Sequence, residues 1–189
     1  MRKIILWCGA CLVALGVCLG AVFGLRTYTG ERQCRETASQ IEKLLPERTV
    51  GAVNADSGLP VLEIGGKDYA GLLEIPGFGL TLPVANDWNE KDLYGAPARF
   101  LGAVGETPLV IGGADTAYQF GFCDSIDSGA QITFTDMTGG VFTYTVCRVD
   151  RSEEAALSWL QKEDYDLILF CRDTYSLEYI AVRCAFSYQ

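Results

Sequence analysis

The sequence predicts a mostly β domain, a small barrel or sandwich, preceded by one apolar helix. Short apolar runs that alternate with polar residues and are separated by glycine or proline turns fill most of the chain after Val61. Helical periodicity is confined to the segment before Pro46 and to one short stretch after Arg151. An uncharged apolar run lies near the N-terminus. Many short strands with few helices are typical of barrels and sandwiches.

The apolar run from Ile4 to Leu25 predicts a transmembrane helix. It is long enough to cross a hydrocarbon layer of about 30 Å. A cleaved signal peptide, the alternative, has an apolar core of about 7–15 residues and a small-x-small cleavage site, which this run lacks. Arg2 and Lys3 precede it, so we expect a cytoplasmic N-terminus, a single pass through the cell membrane and an extracellular domain.

Three glycines within this span, Gly16, Gly20 and Gly24, stand four residues apart and therefore share one helix face. Such a face lets two helices approach closely, which would support self-association. Glycine is also common in membrane helices without any such role. Both interpretations stay open.

Charge and cysteine usage exclude several classes of function. The chain has a net charge of −9, and none of its 24 acidic residues precedes the span, so the external part is strongly acidic and unsuited to binding nucleic acid or anionic lipid by charge. The five cysteines after the span include no C-x-x-C pair, and the acidic residues match no calcium loop. We therefore expect no bound metal and no cofactor.

The segment between the span and the β region divides into two parts. Glu31 to Leu45 carries apolar residues three and four apart, which predicts an amphipathic helix that Pro46 ends. Glu47 to Pro60 has no apolar periodicity and is interpreted as a linker. The predicted division is residues 1–25 for the cytoplasmic tip and anchor, 26–60 for the juxtamembrane helix and linker, and 61–189 for the β domain.

Within the β domain, the region from Ala130 to Val149 is the clearest hairpin, with alternating residues on both sides of a turn at Asp136 to Gly140. Ser152 to Gln161 begins with a serine cap and acidic residues and predicts a short helix. Tyr165 to Cys171 and Tyr179 to Phe186 predict two strands joined by a polar loop.

Several segments, in this order, resemble the sortases, the membrane-anchored cysteine transpeptidases of Gram-positive cell surfaces, and most of all the class B-like group. They are "GLLEIPGFGLTLPV" from Gly71, "APARFLGA" from Ala96, "PLVIGGADTAYQFG" from Pro108, "GAQITFTDMTGGVFTYTV" from Gly129 and "YDLILFCRDTYSLEYIAVRC" from Tyr165. The resemblance implies a closed eight-stranded barrel with one or two short helices and a groove that binds a sorting peptide. It also implies a cysteine nucleophile, a histidine acid and base, and an arginine that stabilises the oxyanion.

The positions that would carry these three roles hold other residues. The histidine of the family follows the glycines of "GGAD", where this chain has Ala114. Counting back from "VRC" at Val182 to Cys184 places the nucleophile at Arg172 and the arginine at Tyr179. The whole chain contains no histidine. The resemblance therefore implies a pseudosortase with no catalytic residues.

Neighbouring residues offer weaker candidates. Cys171 precedes the expected nucleophile, but adjacent strand residues point to opposite faces, so its thiol should face away from the groove. Arg183 is interpreted as an ordinary residue of its strand. Four aromatic residues could line a peptide groove or pack at its rim, an alternative that stays open: Tyr118, Phe120, Tyr175 and Tyr179.

The sequence thus predicts a membrane-anchored, extracellular, catalytically inactive relative of the sortases that serves as a binding or accessory module in surface-protein or pilus display. The expected partner is a surface-protein or pilin sorting peptide, or an active sortase. The alternative is an active transpeptidase or hydrolase that uses Cys171 without histidine.

Overall fold

The computed structural model describes residues 2–51, 59–105, 107–154, 156–161 and 164–187. Within them one long helix precedes a mixed sheet, and a second, short helix lies between two late strands. The elements are α1 (Arg2–Leu44), β1 (Thr49–Val50), β2 (Leu62–Ile64), β3 (Lys67–Ile75), β4 (Leu80–Ala85), β5 (Ala98–Ala103), β6 (Thr107–Gly112), β7 (Gln131–Asp136), β8 (Gly140–Ser152), α2 (Leu157–Leu160), β9 (Leu167–Arg172) and β10 (Tyr179–Phe186).

Eight of these strands close into a barrel. The sheet runs β8-β10-β9-β6-β5-β4-β3, and β7 closes it by pairing with both β3 and β8. The β6–β9 and β4–β5 pairs are parallel, whereas the other pairs of the ring are antiparallel. The two-residue β1 and the three-residue β2 are added at β8 and β3. The predicted closed eight-stranded barrel is confirmed.

The helix α1 is continuous through the predicted span and the predicted juxtamembrane helix. The side chains of residues 11–25 are exposed, which suits a lipid environment, and this is the one described helix apolar enough to cross a membrane. A signal sequence would have the same character. Beyond the span, Cys34, Ala38 and Ile41 are buried against β3 and β4. Their spacing of four and three places them on one helix face.

The hairpin between β7 and β8 has the predicted register and turn. The carboxylate of Asp136 accepts hydrogen bonds from the backbone N–H groups of Thr138 and Gly140 at 2.8 and 2.9 Å. Gly139 has a φ of 83°, a conformation that glycine adopts without a Cβ penalty. The aspartate and the glycine together fix the turn.

Two predictions from local sequence need correction. The segment from Glu47 to Pro60 is not only a linker, because Thr49–Val50 pairs in parallel with β8; residues 52–58 lie outside the described residues. The predicted helix from Ser152 to Gln161 is helical only over Leu157–Leu160. Its first residue, Ser152, instead ends β8 opposite Tyr179, because the ladder to β10 continues that far.

We expect Ile41→Ala to lower the free energy of unfolding by about 2–5 kcal/mol, since it removes a fully buried side chain between α1 and the barrel. Leu44→Ala, on the same helix but 62% exposed, is the matched control and should change little. Urea unfolding of the full chain in detergent, followed by near-ultraviolet circular dichroism, measures both. Equal effects would contradict the observed helix–barrel packing.

Candidate functional site

The three positions singled out by the sequence lie at neighbouring strand ends. Gly113, just after β6, donates its N–H to the carbonyl of Phe170 on β9 at 3.0 Å, so Ala114 follows beside the end of β9. Arg172 at the end of β9 pairs with Tyr179 at the start of β10. The carboxylate of Asp115 accepts the N–H of Thr174 at 2.8 Å, which joins the two loops. Tertiary structure thus brings these segments together.

Arg172 is exposed and held in place by its own loop. Its Nε donates to the carbonyl of Leu177 at 3.1 Å, and its guanidinium lies 5.7 Å from the centre of the Tyr179 ring. Such a cation–π contact contributes about 0.5–1 kcal/mol at an exposed site. Leu177 has a φ of 62°, a conformation that costs a non-glycine residue about 1–2 kcal/mol. The strained conformation at Leu177 therefore directs its carbonyl oxygen toward Arg172.

A buried glutamine, which the sequence analysis missed, positions the loop of Ala114. The side-chain carbonyl of Gln119 accepts the N–H of Ala114 at 3.2 Å. Its amide nitrogen donates to the carbonyls of Leu93 and Tyr94 at 2.8 and 3.1 Å. Gln119 is fully buried, so these bonds satisfy a polar group that burial would otherwise destabilise. In the sequence, only its position between the aromatic residues Tyr118 and Phe120 indicated that Gln119 would be buried.

Cys171 lies on the opposite face of β9 from Arg172. It belongs to the interior core, is 2% exposed, and its Sγ lies 3.6 Å from the carbonyl oxygen of Phe120. The neighbouring Cys123 is fully buried, and burial, followed by its hydrogen bond with Cys171, raises the pKa of the Cys123 thiol well above its usual value. The Cys171 thiol therefore lies in the barrel interior, on the face of β9 that points away from Arg172.

The four aromatic groove candidates separate into two pairs. Phe120 is fully buried and Tyr118 is 8% exposed, and both belong to the interior core. For these two, burial favours packing over groove lining, the two alternatives that the sequence left open. Tyr175 is 96% exposed and Tyr179 is half-buried, so these two remain accessible beside Arg172.

A second apolar cluster covers the outer faces of β6, β9 and β10, and we call it the outer cluster. Trp88, from the loop between β4 and β5, stacks on Phe170 at 5.5 Å and meets Phe100 edge-on at 5.0 Å. A Cβ at Gly112 would overlap the rings of Trp88 and Phe170. The outer barrel face next to Ala114 is thus filled by the protein's own aromatic side chains. The cluster contains Trp88, Phe100, Leu101, Val110, Trp159, Leu160, Tyr165, Ile168, Phe170, Tyr179 and Ala181.

An ion pair between fully buried Arg183 and partly buried Asp150 fixes the segment that carries α2. Arg183 donates through Nε to the carboxylate of Asp150 at 2.5 Å and through an Nη to the carbonyl of Trp159 at 2.8 Å. Its guanidinium lies 5.2 Å from the Trp159 ring and 5.5 Å from that of Tyr165. Arg183 therefore has a structural reason to be an arginine, since it holds the α2 segment on the barrel.

The acidic residues are dispersed. Asp124 pairs with Arg151, Asp92 with Lys67 at 3.1 Å, and Asp136 caps its turn. Within the described ranges, no group of three or more histidine, cysteine or acidic side chains is arranged to hold a metal ion. The five cysteines after the span carry free thiols.

No family model and no curated protein matches the sequence. Solved structures match the fold clearly. Sortase C1 of Streptococcus agalactiae superposes with a TM-score of 0.59 at 19% identity, over 68% of this chain and 72% of that one. The fold is that of the sortases. The Clostridium perfringens sortase D5 transpeptidase gives 0.57 at 14% identity, over 84% and 98% of the two chains. Sortase C2 of Group B Streptococcus pilus island 1 gives 0.56 at 18% identity, over 85% and 98%.

We expect Asp150→Asn to destabilise the fold by about 1.5–3 kcal/mol at neutral pH, since it weakens charge-assisted hydrogen bonds to buried Arg183. Burial alone would raise the pKa of Asp150, but hydrogen bonds from Arg183 and Arg148, and then their charges, hold it below its usual value. The stabilisation is therefore full above about pH 4 and is lost as the pH falls through the folded-state pKa.

The measurement is the free energy of unfolding of both proteins between neutral and acidic pH. The difference between them should shrink below about pH 4. Asp127→Asn, which removes an exposed negative charge, is the matched control. A difference that stayed constant into acid would show that Asp150 is not stabilised as a carboxylate.

Proposed function

We propose that this protein is a membrane-anchored, extracellular pseudosortase of the class B-like group, which binds a partner in surface-protein or pilus display without transpeptidase chemistry. The observation that carries the proposal is the set of residues at the three neighbouring strand ends. Acyl transfer through a thioester needs a thiolate, a proton-transfer group and an oxyanion donor. Ala114 can transfer no proton, and Arg172 carries no thiol that could attack a carbonyl.

The alternative, a nucleophile shifted to Cys171, is disfavoured by its surroundings. Its thiol is inside the barrel, and no histidine exists anywhere in the chain to act as its base. Moving it to the outer face would turn every residue of β9 over, because strand side chains alternate with a period of two. That would bring Arg172 into the apolar interior.

The exposed side chains at this site suit a peptide ligand. Arg172, at the end of β9, and Tyr175, in the loop that follows it, are both exposed. An arginine fork suits carboxylate ligands, and aromatic side chains bind extended peptides. The sorting signal of a surface protein or pilin, or an exposed segment of an active sortase, has this chemistry. The pilus-island sortase among the similar structures makes a pilin a reasonable partner class.

We expect iodoacetamide to alkylate Cys147 rapidly in the native protein and Cys171 only after unfolding, because Cys147 is exposed and Cys171 is buried. Incubation with candidate sorting peptides should give no acyl adduct. Peptide mass spectrometry of both digests is the measurement, and Cys147 is the internal control. Rapid, selective alkylation of Cys171 together with an acyl adduct would contradict the proposal.

The variant Ala114→His with Arg172→Cys and Tyr179→Arg restores the three groups that the family chemistry needs. We expect weak thioester formation with a sorting peptide, and a higher yield when Trp88→Ala also clears the outer cluster. Intact-mass spectrometry detects the adduct, and circular dichroism checks the fold. Folded variants without any trace of adduct would argue against a peptide groove at this site.

A further inference from the structure

We propose that the barrel docks on the lipid headgroup layer through the loop Glu90–Tyr94, so that the candidate site faces the membrane surface. The inference rests on the membrane anchor of the proposed function and adds the orientation of the barrel and the place of its partner. It follows from the way in which α1 connects the span to the barrel.

The helix leaves no flexible tether between span and barrel. It is continuous from Arg2 to Leu44, and its buried face begins soon after the span ends at Leu25. Gly30 is five residues beyond Leu25, which is about 7.5 Å along a helix. The polar layer on each side of a bilayer is about 5–8 Å thick. Gly30 therefore lies at the outer edge of the headgroup layer.

The loop Glu90–Tyr94 reaches the helix at this level. A Cβ on Gly30 would lie 2.5 Å from the carbonyl oxygen of Tyr94 and 2.6 Å from the hydroxyl of Tyr118, so glycine is needed for the approach. Arg26, one residue beyond the span, lines the same cleft as Lys91 and Tyr94. The loop thus extends from Gly30 back toward the end of the span.

The side chains on this surface suit a headgroup layer. Tyr94 is 40% exposed and Tyr28 is 65% exposed, and tyrosine is enriched at membrane interfaces. Arg26 and Lys91 have no ion-pair partner among the described residues, whereas Lys67 in the same cleft pairs with Asp92. Glu90, in the same cleft, has no ion-pair partner among the described residues either, so Arg26 and Lys91 leave the cleft with a net positive charge next to the span. This favours contact with anionic phospholipid, despite the acidic character of the whole chain.

Gln119 connects this surface to the candidate site. Its amide donates to the carbonyl of Tyr94, and its side-chain oxygen accepts the N–H of Ala114. The side chain of Gln119 alone therefore bridges the docking loop Glu90–Tyr94 and the loop that contains Ala114. A partner that contacts Arg172 and Tyr179 would therefore lie close to the bilayer. The extracellular segment next to the membrane span of another protein lies at this level.

The test uses the full chain in nanodiscs that contain phosphatidylglycerol. Photoreactive p-benzoyl-phenylalanine replaces Tyr94, Tyr28 or Leu44, one at a time. Tyr28 lies next to the span and reports insertion. Leu44 is exposed, apolar and on the same helix, but about 21 Å beyond Gly30. Lipid adducts after irradiation are quantified by mass spectrometry.

We expect lipid adducts at Tyr28 and Tyr94 and many-fold less at Leu44. Adducts at Tyr28 without adducts at Tyr94 would overturn the docking and leave the anchor intact. Equal adducts at Tyr94 and Leu44 would overturn it too, because the barrel would then have no fixed orientation. No adducts at Tyr28, together with extraction of the chain by carbonate, would overturn the anchor and the docking with it.

Discussion

The strand β9 constrains everything near the candidate site, because it is packed on both faces. Its inward residues, Leu167, Leu169 and Cys171, belong to the interior core, whereas Ile168 and Phe170 belong to the outer cluster. A strand buried on both sides cannot shift by one residue without exchanging its two faces. Packing on both faces of β9 therefore fixes two positions together: Arg172 lies at the surface, and the Cys171 thiol lies inside the barrel.

The outer cluster and the Asp150–Arg183 pair stabilise the same side of the barrel. Trp88 covers Gly112 at one side, and Arg183 holds Trp159 and the α2 segment at the other. The face next to Ala114 is thereby closed by the chain itself. Aromatic packing contributes to the stability of this face.

The helix α1 packs on the barrel close to the loop that Gln119 joins to the candidate site. Packing of Cys34, Ala38 and Ile41 makes the barrel an extension of the helix rather than a tethered body, and Gly30 allows a loop to lie directly on it. Because Gln119 joins that loop to Ala114, the helix–barrel contact also bears on the position of the candidate site.

Most strand positions along the chain, the hairpin turn at Asp136 and the apolar helix follow from the sequence alone, as does the absence of histidine, because local alternation, turn residues and composition carry that information. The sequence failed at Ser152 and Thr49, where pairing with distant strands prevailed over local propensity. Only the tertiary structure decided that Phe120 is interior, that Gln119 bridges two loops, that Arg183 has a counter-ion at Asp150 and that Trp88 covers Gly112. These facts depend on contacts between residues far apart in the chain, and no periodicity in the sequence encodes them.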